Sequence, residues 1–178
     1  KTIARKLSSL RSFYKFLLAE KMVEVNLFAE LSSPKLSRSL PKQIYPKEIN
    51  AMFACIDKES LIGKRDVALL ELLYGTGIRV SELCSVKVAD IDFFNEAITI
   101  MGKGSKERYI PLHPGIISSI KTYLEFARSE LMARQKGKVS DKLFLNFRGS
   151  ELTVRGVRVI LNTLAEKAST GLKVSPHM

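Results

Sequence analysis

Gly75-Thr76-Gly77-Ile78-Arg79-Val80-Ser81-Glu82 is the stretch that decides how this chain reads. Two glycines one residue apart mark a turn, because glycine adopts backbone angles that side chains resist. The turn sets Arg79 at the start of a short helix running through Cys84. A helix start presents unpaired N–H groups and positive dipole character, which suits an anion. A guanidinium held there can fork onto two phosphate oxygens.

Outward from this turn the chain is mostly helical. Upstream, Lys64–Leu73 and Lys47–Asp57 carry apolar residues at helical spacing: Val67, Leu69, Leu70 and Leu73 in one, Ile49, Met52, Phe53 and Ile56 in the other. Downstream, Ala97–Met101 and Arg108–Leu112 read as two short strands joined by a hairpin loop rich in glycine and lysine. Ile116–Leu131 reads as an amphipathic helix, and Leu143–Phe147 as a strand or a buried extended piece. Thr153–Ala168 reads as a helix capped by Thr153 or a neighbour. The expected fold class is mainly α with a small antiparallel β-sheet.

The N-terminal stretch is separate. Thr2–Glu20 places Ile3, Leu7, Leu10, Tyr14 and Leu17 on one helical stripe, with Arg5, Ser9 and Ser12 on another face. That second face is either solvated or laid against DNA, where small residues permit close approach and arginine reaches phosphates or base edges. Ser32–Pro46 carries three prolines, several cations and no acid, and reads as an extended basic linker. The expected domains are therefore 1–31, a linker 32–46, and 47–178.

Composition narrows the partner. With 29 Lys+Arg against 18 Asp+Glu, the net charge is +11, which points to a polyanion: DNA, RNA or an acidic membrane surface. No apolar run reaches the ~18–20 residues of a membrane span, and no signal-peptide pattern opens the sequence. Cys55 and Cys84 form no CxxC, and only two histidines are present, so neither a disulfide framework nor a zinc site is expected and a reducing cytoplasm fits. The hairpin loop lacks the P-loop pattern, and no Gly-x-Ser-x-Gly supports a serine hydrolase. The start without Met and the stop at Ser175-Pro176-His177-Met178 read as a fragment.

Three motifs gain specificity in order: Gly75–Leu83, then Gly102-Lys103-Gly104-Ser105-Lys106-Glu107-Arg108, then Ser175-Pro176-His177. Together they resemble the tyrosine recombinase (phage integrase) family, and within it the Xer-type recombinases of bacterial chromosomes. Thr2–Phe16 is similar to the end of that family's helical DNA-clamping domain, so the resemblance spans essentially the whole chain.

The resemblance implies a site-specific recombinase that cuts and rejoins DNA through a 3′-phosphotyrosyl intermediate without any cofactor or metal, in the service of chromosome dimer resolution. Arg79 matches the first catalytic arginine, Lys103 the general acid at the leaving 5′ oxygen, and His177 the start of a His-x-x-Arg signature. Lys106, Arg108, Arg155 and Arg158, with Arg5 and Ser9 of the clamp, are implied DNA contacts. The second arginine and the nucleophilic tyrosine match nothing here: Tyr14, Tyr45, Tyr74, Tyr109 and Tyr123 stand in other contexts, so the fragment is expected to be inactive by itself. The implied partners are a duplex recombination site, further protomers in a tetramer and a septal DNA translocase. The implied location is the nucleoid-associated cytoplasm of a bacterium or archaeon. The alternatives are a non-catalytic DNA-binding module of the same ancestry and the integrase of a mobile element.

Overall fold

The computed structural model describes residues 2–34, 45–102, 107–135 and 139–168. The chain divides into two units, Lys1–Pro41 and Lys42–Met178.

In the first unit, α1 (Thr2–Ala19) is the expected helix, but it buries none of its residues. Ile3 stays 71% exposed, so the apolar stripe marks helical periodicity and not a core within this unit. The segment after α1 folds back on Arg11: its Nε donates to the Phe28 carbonyl at 2.9 Å and a terminal nitrogen donates to Ser33 Oγ at 2.9 Å. Tyr14 meets Phe28 edge to face at 4.9 Å.

The second unit holds the core. α2 (Pro46–Ala54) starts at a proline, whose missing N–H costs nothing in a first turn. α3 (Leu61–Thr76) begins three residues earlier than its apolar pattern suggests, because Ser60 caps it by accepting from the Gly63 N–H at 3.0 Å. Ala68, Leu69 and Leu72 are fully buried on α3. Each such leucine contributes roughly 1.5–3 kcal/mol by leaving water. The helix continues through Gly75, so the expected two-glycine turn is a one-glycine turn. Gly77 alone closes it, at φ +62. Gly75 instead leaves room for the Ile116 side chain of α5 (Pro114–Tyr123), since a Cβ there would stand 2.6 Å from Ile116 Cδ1.

α4 (Val80–Ser85) follows the turn, and then the chain enters a three-stranded antiparallel sheet ordered β1 (Ile91–Asp92), β2 (Ala97–Met101), β3 (Glu107–Pro111). β2 and β3 are the expected pair, in register Ile98↔Ile110 and Ile100↔Arg108. β1 has too few residues to show an alternating pattern. It pairs through Ile91↔Ile98, and Asp92 closes its turn by accepting from the N–H groups of Phe94 and Asn95.

The helix expected over 116–131 begins at Pro114, because His113 caps it: its Nδ1 accepts from the Gly115 N–H at 3.1 Å. It then widens into a π segment at Leu124–Arg128 before α6 (Ser129–Ala133). Leu143, Phe144 and Leu145 form a buried extended piece joined to the sequence beyond by one bridge, Leu145↔Glu151. α7 (Val154–Lys167) is capped as expected, Thr153 Oγ1 accepting from the Gly156 N–H at 3.1 Å. α3 packs on α5 and the π segment, and α2 and α4 both pack on α7. Among the described residues no helix is long and apolar enough to cross a membrane.

Candidate active site

Two buried hydrophobic residues, Ile78 and Val80, flank Arg79 and anchor the backbone, so its side chain points outward. Its side chain is 70% exposed. It borders a surface pocket of about 460 Å³ lined by Arg79, Ser81, Glu82, Ser85, Met101 and Gly102. α4 supplies one wall of this pocket and the end of β2 the other.

The organising group is Glu82, whose side chain is only 8% exposed. One carboxylate oxygen accepts from the Arg79 backbone N–H at 2.8 Å, and the other accepts from the Arg79 guanidinium at 3.0 Å. From β3, Arg108 forks onto the same carboxylate at 2.9 and 2.8 Å. The Arg108 hydrogen bonds, opposed by burial and aided by the Arg79 N–H and guanidinium, hold the Glu82 carboxyl down at about 2. The pocket therefore carries a buried anion between two cations, with Arg79 facing outward.

Glu82, which joins Arg79 to Arg108 at this pocket, is singled out by none of the sequence motifs. Its signal is present locally, since a Glu three residues after a helix start reaches back to that start's N–H. Its pairing with Arg108 spans 26 residues and needs the fold to be seen. Arg108 itself is committed to Glu82 in this structure, whereas the sequence resemblance places it on DNA.

Of the other expected site residues, Lys103, Lys106 and His177 lie outside the described residues. Gly102, the residue before Lys103 in sequence, lines the Arg79 pocket. Arg155 and Arg158 are exposed on α7. In the separate first unit, Arg5 and Ser9 are exposed on α1, and Ser9 Oγ donates to the Arg5 carbonyl at 3.1 Å. Among the described tyrosines, Tyr123 is fully buried and its hydroxyl accepts from the Leu145 N–H at 3.1 Å.

The helical core with its three-stranded antiparallel sheet is a fold shared with recombinases of known structure. The crystal structure of XerA recombinase matches 94% of this chain and 56% of its own at a TM-score of 0.65 and 23% identity. XerH site-specific recombinase bound to palindromic difH substrate, a post-cleavage complex, matches 84% of this chain and 43% of its own at 0.66 and 26%.

The sequence profile of the Phage integrase family matches residues 42–178, and the chain belongs to that family. Tyrosine recombinase XerC of Anoxybacillus flavithermus is 49% identical over 177 residues, 99% of this chain and 59% of the relative. Tyrosine recombinase XerC of Bacillus subtilis is 46% identical over 178 residues, 100% of this chain and 58% of the relative. The chain thus spans under three fifths of the length of these curated relatives.

Proposed function

We propose that this chain supplies the phosphate-gripping part of a site-specific DNA recombinase of the Xer type. The observation that carries this reading is the outward guanidinium of Arg79, fixed by buried Glu82 at a pocket in a phage integrase family chain. The reaction is a pair of phosphoryl transfers. A tyrosine oxygen attacks the scissile phosphorus, the bond to the 5′ oxygen breaks, and a 3′-phosphotyrosyl link replaces it. A 5′ hydroxyl then reverses the exchange. Bond energy is conserved, so the chemistry needs no external source.

In that exchange negative charge gathers on the non-bridging oxygens, and a pre-positioned cation lowers the barrier there. Arg79 is that cation. Lys103 delivers the proton to the leaving 5′ oxygen, and His177 assists at the same phosphate. Lys106, Arg155 and Arg158 contact DNA, as do Arg5 and Ser9 of a clamp over 1–31. A basic linker at 32–46 joins the clamp to a catalytic domain over 47–178. The nucleophilic tyrosine and the second arginine are assigned to none of these 178 residues. The partners are a duplex recombination site, further protomers and a septal DNA translocase, acting at the nucleoid in the cytoplasm to resolve chromosome dimers. The similarity to XerC proteins, 49% identity in one relative and 44% in a more distant one, supports that role.

The test is covalent capture. The full-length protein is incubated with a nicked duplex carrying the site recovered by selection from random-sequence DNA. A covalent protein–DNA adduct is expected, and Arg79→Ala is expected to abolish it. An adduct formed in unchanged yield by Arg79→Ala would sink the assignment, and binding without any adduct would favour a DNA-binding module.

A further inference from the structure

We propose that Arg108 is a positioning residue for the phosphate grip: by forking onto Glu82 it takes up that carboxylate's charge and leaves Arg79 a net cation at the pocket. The inference rests on the reading of Arg79 as the phosphate ligand, and it replaces a direct DNA role for Arg108.

Glu82 has a structural reason to stand where it does. It satisfies the Arg79 backbone N–H at 2.8 Å and orients the guanidinium at 3.0 Å. That same carboxylate opposes the site's task, because Arg79 and Glu82 alone sum to zero charge beside a phosphate. Arg108 restores the balance. Both of its terminal nitrogens bond the carboxylate, at 2.9 and 2.8 Å, so Arg79 shares one oxygen and keeps most of its surface open. The exposures agree with this division: the Arg79 side chain is 70% exposed, Arg108 39% and Glu82 8%. A bidentate fork is a geometry that arginine makes and lysine does not.

The pairing also fixes an element. Arg108 lies on β3 opposite Ile100 of β2, and β2 leads to Met101 and Gly102 at the pocket wall. The fork therefore ties the base of the hairpin to α4. Four hydrogen bonds from Arg79 and Arg108 favour the ionised form of the buried Glu82 carboxylate, a charge that Arg108 meets.

The experiment uses the full-length protein and the nicked duplex described above, measuring the single-turnover rate of adduct formation at saturating DNA and, separately, the dissociation constant. Arg108→Gln is expected to slow adduct formation by about 10- to 100-fold, with affinity changed by less than about 3-fold. Arg108→Lys keeps the charge without the fork and is expected to fall between. The decisive comparison is Glu82→Gln with and without Arg108→Gln: once the carboxylate is gone, losing Arg108 is expected to cost less than about 3-fold. A further tenfold drop in that background overturns the proposal, as does a loss of affinity with the rate unchanged. Circular dichroism checks folding, and if Arg108→Gln is unfolded the Glu82→Gln pair still decides. Absence of any adduct from the wild type removes the functional reading and this inference together. An adduct abolished by Arg79→Ala but untouched by Arg108→Gln removes this inference alone.

Discussion

Glu82 should be visible in acid as well as in catalysis. Its folded carboxyl sits at about 2 against an ordinary 4.5, held there chiefly by the Arg108 hydrogen bonds. A carboxyl depressed on folding stabilises the folded state above its unfolded value, and that contribution is lost as pH falls through the folded value. The window is therefore between about 4.5 and 2. After allowance for solvent around the half-exposed Arg108, the loss should be on the order of 2 kcal/mol. Buried Asp66 works the other way: burial pushes its carboxyl up, opposed by Arg65, so it penalises folding less as pH drops. Subtracting the Glu82→Gln curve from wild type, in urea melts of the whole chain followed by far-ultraviolet circular dichroism, isolates Glu82. Superimposable acid limbs would show that Glu82 is not held by its arginines in solution. Arg79 itself is legible from sequence because its neighbours announce it: a glycine turn before, and Ile78 and Val80, both buried, alternating about it. Arg108 is not, because a basic residue on a strand looks the same whether it faces DNA or a carboxylate on another element.

Two left-handed glycines among the described residues give a matched test of turn and packing. Gly77 ends α3 at φ +62 with nothing within 4 Å of an added Cβ. Gly149 turns at φ +85 with a Cβ position 2.2 Å from the Leu131 carbonyl oxygen of α6. Gly77→Ala should cost only the backbone term, about 1–2 kcal/mol, whereas Gly149→Ala adds a clash with backbone and should cost more than about 3 kcal/mol. Equal losses in chemical denaturation would contradict the difference in free space between the two turns. Helices are legible where propensity, period and cap agree, as for α7 with Thr153. They are less so where tertiary contacts override the pattern. The apolar run over 116–131 reads as one helix, yet it widens to a π segment at Leu124–Arg128. There Arg128 donates to the carbonyls of Ser140, Lys142 and Leu143, while Tyr123 takes the Leu145 N–H. Both side chains secure the extended piece that leads into α7, and no local periodicity records that demand. β1 escapes for a simpler reason, since two residues cannot display an alternation.

For the whole molecule, charge points to a polyanionic partner but overstates how many cations are free to meet it. The excess of +11 is readable from sequence, whereas the occupation of individual cations is not. Arg65 is buried on Asp66 at 2.7 Å, Arg108 is forked on Glu82, Arg128 is spent on backbone carbonyls, and Arg11 closes the first unit. These four hold the fold and are poor candidates for phosphates. The exposed cations of α1 and α7 are better ones, and a footprint of ~6–10 phosphates is the reasonable range. Counterion release then sets the response: log affinity falls linearly with log salt at a slope near −0.9 per phosphate, so duplex affinity should drop by roughly 10³–10⁵ between 50 and 200 mM salt. Fluorescence anisotropy of a labelled duplex titrated with this chain measures that slope directly. Arg155→Ala and Arg158→Ala should each flatten it by about one phosphate, whereas Arg108→Gln should leave it unchanged. A flat response in the unmodified chain would exclude phosphate-backbone binding, and an equal affinity for anionic vesicles would redirect the charge to a membrane surface.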